Sequence, residues 1–371
     1  MVEARLRLPL GSLGLTAPHA VGKLLRDSAV PGFPAALTAV GGAFAVRMNG
    51  DGQWLEALAH VPRDALETGL APIAAVVAAV AADGPGPVAD RENGMAEYPA
   101  DAGQLMEQAL WRGAREPDGQ RQTTGPSVQG GCLAIVGALP ADAALSLVKQ
   151  VLPAAAHVTG GTAGCGEIPW KCGELTHVEQ QPGSAEAGFL LCSPETPACD
   201  DEAARYLTTA LFGGYYGSRL ATALGRLGTP ITELLVGRDR FVGQPRAWIR
   251  ARAAVADTAR LLDTVCREAD RLAHEPTGAV ELAQVAEFCA AQMTSVFDSP
   301  AALADGLARF GALGWSPESV TTFPDRLGAV TAGQVTQTAA QLFQHELRGG
   351  VLMGDPATRE ALHSVWARWG R

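Results

Sequence analysis

Apolar and polar residues follow two periods along this chain, and their succession sets out its elements. RLRLPL near the N-terminus alternates polar and apolar residues and predicts a strand. An apolar helix is expected over residues 19–28. Residues 34–40 then lead into a Gly41-Gly42 turn, a strand pair (AFAVRMNGDGQWLEALAHV) and a helix over residues 63–82. The second half repeats this order: a helix over 201–212, a segment over 218–227 running into Gly228-Thr229, strands at about 231–236 and 247–254, and a helix over 257–274.

Each half also closes alike. CLAIVGALPADAALSLVKQVL and GGVLMGDPATREALHSVWARW both read as a strand, a glycine turn and an amphipathic helix. Between the halves, VTGGTAGCGEIPWKCGELTHVEQQPGS is rich in Gly and Pro and lacks an apolar period, as a linker does. The expected division is residues 1–158 as the first domain, 159–182 as the linker and 183–371 as the second domain. Hairpin-like strand pairs separated by long helices predict an α+β fold. Each of the two homologous domains is then a mostly antiparallel β-sheet flanked by α-helices, and a parallel doubly wound sheet fits less well.

A length of 371 residues suits two domains better than one core. Hydrophobic residues at 47% and charged residues at 18% describe a globular chain. The net charge of -10 and the lack of any long Lys/Arg cluster argue against nucleic acid as a partner. The longest apolar run, GLAPIAAVVAAVAA, is shorter than the roughly 20 residues that cross a bilayer. It predicts a buried helix and no membrane span. Arg5 and Arg7 followed by LPLGSLGLTAPHA faintly resemble a secretory signal, but the strand reading of RLRLPL is preferred. Seven cysteines, an odd number, favour reduced thiols and a cytoplasmic protein.

Several motifs fail. His345-Glu346-Leu347-Arg348-Gly349 begins like His-Glu-x-x-His but lacks the second His, and it reads as a helix end. No phosphate loop, GxGxxG or GxSxG elbow occurs. His157, Cys165, Cys172 and His177 in the linker are zinc-compatible residue types, although Cys165 and Cys172 stand further apart than in a usual structural knuckle. Loop thiols and a linker metal both remain open there.

The duplicated order of elements, together with LTTALFGGYYGSRLATALGRLG, GAVELAQVAEFCAAQMTSVFDSPAALADGLARFGALG and AVTAGQVTQTAAQLFQHELRGGVLMGD, resembles the M16 (insulinase/pitrilysin-type) metallopeptidases over essentially the whole chain. The resemblance implies paired domains enclosing a peptide in a chamber, with bacterial members often working as dimers of two-domain chains. It also implies a His-x-x-Glu-His helix. Two His four apart hold Zn²⁺ from one helix face, the Glu activates water, and a later Glu completes the ligand set.

Here the matching helix reads HAVGKLL. His19 keeps the first ligand position, Gly22 replaces the base and Lys23 the second His. A protonated Lys has no lone pair to offer and repels a cation. DRENGMAEY puts Glu97 in the place of the third ligand, where an ordinary exposed carboxylate is the alternative. Neither a catalytic residue nor a metal is therefore expected in this chain. The resemblance further implies an Arg and a Tyr after Ser218-Arg219-Leu220, but Gly225 and Thr232 occupy those places, with Arg226 one position off. Tyr215, Tyr216, Arg219 and Arg226 are candidate substrate contacts, a peptide groove and simple packing being the two readings of the tyrosines.

The function so implied is that of a non-catalytic subunit in a heterodimeric M16-type zinc metallopeptidase. Such a subunit closes the chamber and binds peptide for a catalytic partner chain that carries the zinc, with leader-peptide processing of a peptide natural product as one setting. The alternatives are a scaffold like the core subunits of respiratory complexes, without peptidase work, or a peptidase with an atypical site.

Overall fold

The structure is a computed structural model that describes residues 1–10, 33–48, 54–83, 102–113, 128, 130–152, 175–180, 183–195, 202–228, 230–241, 244–343 and 349–369. The first half contains β1 (Val2–Pro9), α1 (Phe33–Ala39), β2 (Ala43–Met48), β3 (Trp54–Val61), α2 (Leu66–Asp83), α3 (Ala102–Gly113), β4 (Cys132–Gly137) and α4 (Ala141–Val151). Its strands form a sheet in the order β2-β3-β1-β4, antiparallel throughout.

The period-2 pattern of β1 decides which face is buried. Val2, Ala4, Leu6 and Leu8 join the core with Leu66, Leu70, Ile73 and Val77 of α2, while Glu3, Arg5 and Arg7 alternate with them. With its lead-in turn, the segment Arg63–Ala81 is long and apolar enough to cross a membrane, more so than the 69–82 run alone suggested. It lies against the sheet instead, with Leu70, Ile73, Val76 and Val80 buried.

The second half contains β5 (Leu175–Glu179), β6 (Glu186–Pro194), α5 (Glu202–Thr209), α6 (Arg219–Leu227), β7 (Ile231–Phe241), β8 (Gln244–Ala254) and α7 (Val255–His274). It continues with α8 (Ala279–Thr294), α9 (Pro300–Ala312), α10 (Pro317–Gly328), α11 (Ala332–Phe343), β9 (Gly349–Gly354) and α12 (Pro356–Trp369). The sheet order is β5-β9-β6-β8-β7. Taken from its other edge, β7-β8-β6-β9 repeats the order β2-β3-β1-β4. The duplication expected from the sequence is thus a duplication of topology. Gly41 (φ 72) and Gly228 (φ 62) occupy the same place in each half, in the left-handed conformation that ends a helix without a Cβ penalty.

Two features depart from the sequence reading. Leu175–Glu179 lies within the expected linker, yet it is a strand, β5, and it runs parallel to β9 at the sheet edge. Five residues are too few to register a period. What makes this a strand is the β9 backbone it pairs with and the packing of Leu175 and Val178 against neighbouring apolar clusters. The β7/β8 hairpin is also longer than expected, its pairing continuing to Phe241 and Gln244.

The halves are not self-contained. Helix α3 of the first half packs on the second sheet, placing Met106 and Leu110 against Leu190, Cys192, Val351 and Met353. Arg246 of β8, 2% exposed, donates to both carboxylate oxygens of Glu107 on α3 at 2.9 and 3.2 Å. Conversely, α9 of the second half lies over β1 and β4, where Arg5 donates to Asp305 at 2.8 Å. Gly311 of α9 sits so near the Cys132 side chain that a Cβ would collide with it. Each sheet is therefore covered on one face by a helix from the other half. Among the described residues, Cys132, Cys192, Cys266 and Cys289 take part in no disulfide.

Candidate functional site

His19, Gly22, Lys23 and Glu97 lie outside the described residues, as do His157, Cys165, Cys172 and His345. The fit of zinc to the first set is therefore a question of donor chemistry. One imidazole and one carboxylate, with Gly and Lys in the remaining positions, do not make the three-ligand set of a catalytic zinc. Among the described residues, no group of three or more His, Cys, Asp or Glu side chains is placed to hold a metal. No catalytic step through zinc is derived for this chain.

The glycine-rich turn between α5 and α6 is fully described. After Thr209 the helix widens into one π turn, Ala210–Gly214, a distortion often found at functional positions. Its shape follows from the glycines. A Cβ at Gly213 would run into Val236 of β7, and one at Gly217 would stand 2.7 Å from the Tyr215 ring. Ser218 then caps α6, its buried Oγ accepting from the Ala221 amide at 3.2 Å. That engagement leaves Ser218 without the exposure a nucleophile needs.

The side chains picked out in this region take different roles. Tyr215 packs against the second core, with its ring stacked 4.8 Å from Phe288. Burial, then Glu281 and Cys289, push its phenol above the ordinary value, so it stays protonated at neutral pH. Tyr216 is fully exposed. Arg219 is held by α8: its Nε and Nη2 each donate to Glu281 at 2.9 Å, and Nη2 also reaches Thr277 at 3.5 Å. Arg226 lies exposed in the last turn of α6. A Cβ on Gly225 would meet nothing within 4 Å, and Thr232 sits exposed at a β-bulge. The turn therefore brings together Tyr215, Tyr216 and Arg219, of which only Tyr216 is presented wholly to solvent.

Sequence reasoning missed the charge network beside the turn. Arg238 of β7 binds both oxygens of Glu195 at 2.5 and 2.6 Å and both oxygens of Glu202 at 2.9 and 3.0 Å, and Arg205 stands 3.5 Å from Glu195. Hydrogen bonds and charge from the two carboxylates outweigh desolvation and raise the Arg238 guanidinium above its ordinary value. This network fixes the start of α5 to β6 and β7, and so fixes the direction from which the turn departs. The sequence also lists His177 with the linker, whereas the structure puts it in β5 with its ring 5.4 Å from that of His363 on α12.

No protein-family model matches the sequence, and no curated protein does. Solved structures do. The M16 peptidase inactive domain from Pseudomonas fluorescens superposes with a TM-score of 0.69 at 16% identity, covering 95% of this chain and 93% of that one. A protease from Helicobacter pylori gives 0.67 at 10% identity, with the same coverage. The periplasmic protease PqqL from Escherichia coli gives 0.61 at 15% identity, and all of this chain matches 47% of its length. The first half of PqqL, determined separately, gives 0.59, with 100% of this chain and 92% of that one covered. With its duplicated sheets and exchanged helices, this chain has the two-domain fold of the M16 peptidases.

Proposed function

We propose that this chain is a non-catalytic peptidase-like subunit, which pairs with a separate chain bearing an intact His-x-x-Glu-His helix and encloses an extended peptide with it. The observation that carries the reading is the pair Gly22 and Lys23, which stand where the resemblance would put the base and the second ligand, in a chain with this fold. The likeness to a solved M16 inactive domain supports it. So does the match to about half of PqqL, where a unit of this size is one part of a longer chain.

In this arrangement zinc and the activation of water belong to the partner. This chain contributes chamber wall and, at the glycine-rich turn, an exposed aromatic contact for peptide in Tyr216, with Tyr215 as its anchor. Arg219 holds the turn to α8, and Arg226 remains on the exposed helix face. Trimming of the leader peptide of a peptide natural product is one setting that such a pair would serve.

The test uses reduced, carboxymethylated α-lactalbumin as an unfolded polypeptide. The chain alone should leave it intact, and a mixture with an M16-type chain that carries an intact His-x-x-Glu-His motif and comes from the same organism should cleave it. Size-exclusion with light scattering should give one copy of each chain in the complex. Chelator-sensitive cleavage by this chain alone would overturn the proposal, as would a monomer indifferent to every such chain.

A further inference from the structure

We propose that His177 and His363 form a surface site for a borderline divalent transition metal, such as Zn²⁺ or Cu²⁺, that staples β5 to α12. The reading is independent of the peptidase-subunit function. The two rings come from opposite ends of the second half. His177 projects from the edge strand that follows the segment joining the halves, and His363 lies on the chain's last described helix. Their centroids are 5.4 Å apart and their planes are tilted by 39°. A metal held by a ring nitrogen at 2.0–2.1 Å lies about 3.2 Å from the ring centroid, so two imidazoles at a tetrahedral angle stand about 5 Å apart. The observed centroid spacing is thus close to that of two imidazoles sharing one metal.

The chemistry of the surroundings is consistent with this. Imidazole suits zinc, nickel and copper better than magnesium or calcium, whose preference is for oxygen. Both histidines are exposed, so the remaining coordination positions are open to water. Arg359 lies one turn before His363 on α12, and its charge opposes a bound cation. It sets the affinity below that of a full structural site. Because the ligands join an edge strand to a terminal helix, occupancy stabilises the folded state by mass action.

Tag-free protein titrated with ZnCl₂ by calorimetry, and with Cu²⁺ by electron paramagnetic resonance, tests the site. One equivalent should bind, with two nitrogen donors in the copper spectrum. Binding should weaken at least tenfold in His177→Ala and in His363→Ala, and tighten several-fold in Arg359→Gln. His363→Asn gives the same reading through a side chain closer in shape to histidine, should the alanine variant perturb α12. Absence of binding by the wild-type protein, or uptake unchanged in both histidine variants, overturns the proposal.

Discussion

Cys289 is wholly buried in the second core, and burial pushes its thiol up to about 12 from an ordinary 9.0. The unfolded thiol ionises near 9 while the folded one holds its proton, so between these values the native state binds more protons. By linkage its contribution to stability is complete below pH 9 and is lost as pH rises toward 12. The melting temperature should therefore fall on going from pH 8 to pH 10.5, and Cys289→Ala should flatten that fall. An identical slope in the variant would show that the thiol plays no part. None of this was legible from seven scattered cysteines, whose odd number says only that at least one is unpaired. The same limit hid the Arg238–Glu195–Glu202 network, because its partners are 43 and 36 positions apart and neither spacing belongs to a helix or a hairpin. By contrast, the reading of Gly22 and Lys23 as lost positions needs only the fixed ligand spacing that the resemblance implies, and it falls on residues outside the described ones.

At the scale of elements, the hydrophobic period located strands and helices wherever one face is apolar and the other polar. β1 alternates, and α2 carries its apolar stripe, so both are predicted by pattern. β5 escapes notice because its partner strand, β9, lies about 175 residues later. The glycine turn was legible as a turn, but what demands Gly213 within it is Val236, a contact across elements. Helix α6 offers a test in two opposite signs. Gly225 lies in the helix interior with open space around it, so Gly225→Ala should stabilise by about 1 kcal/mol through helix propensity. Gly228 ends the same helix at φ 62, where a Cβ meets the following carbonyl, so Gly228→Ala should destabilise by about 1–2 kcal/mol. Urea titration of the two variants measures both, and shifts of the same sign would contradict the roles given to these glycines.

At the scale of the whole molecule, repeated patterns revealed two halves, whereas the exchange of helices between them was invisible. Nothing in AGQLMEQALWRG says which sheet its apolar face will cover. The structure shows that Met106 and Leu110 cover the second sheet, and that Glu107 faces Arg246, a charge too deeply buried to lose its carboxylate cheaply. Since α9 crosses in the other direction, neither half keeps a fully covered sheet when the other unfolds. The two halves should therefore unfold as one unit, in spite of the two-domain sequence pattern. Scanning calorimetry should give a single transition, with calorimetric and van't Hoff enthalpies equal. Met106 is fully buried, so Met106→Ala should cost about 2–5 kcal/mol. If the crossing helices couple the halves, that variant should lower the single transition as a whole. Combining Met106→Ala with Leu110→Ala should weaken α3 docking enough to separate the halves into two transitions. Two transitions already present in the wild-type protein would mean that the exchanged helices cover the sheets without coupling them.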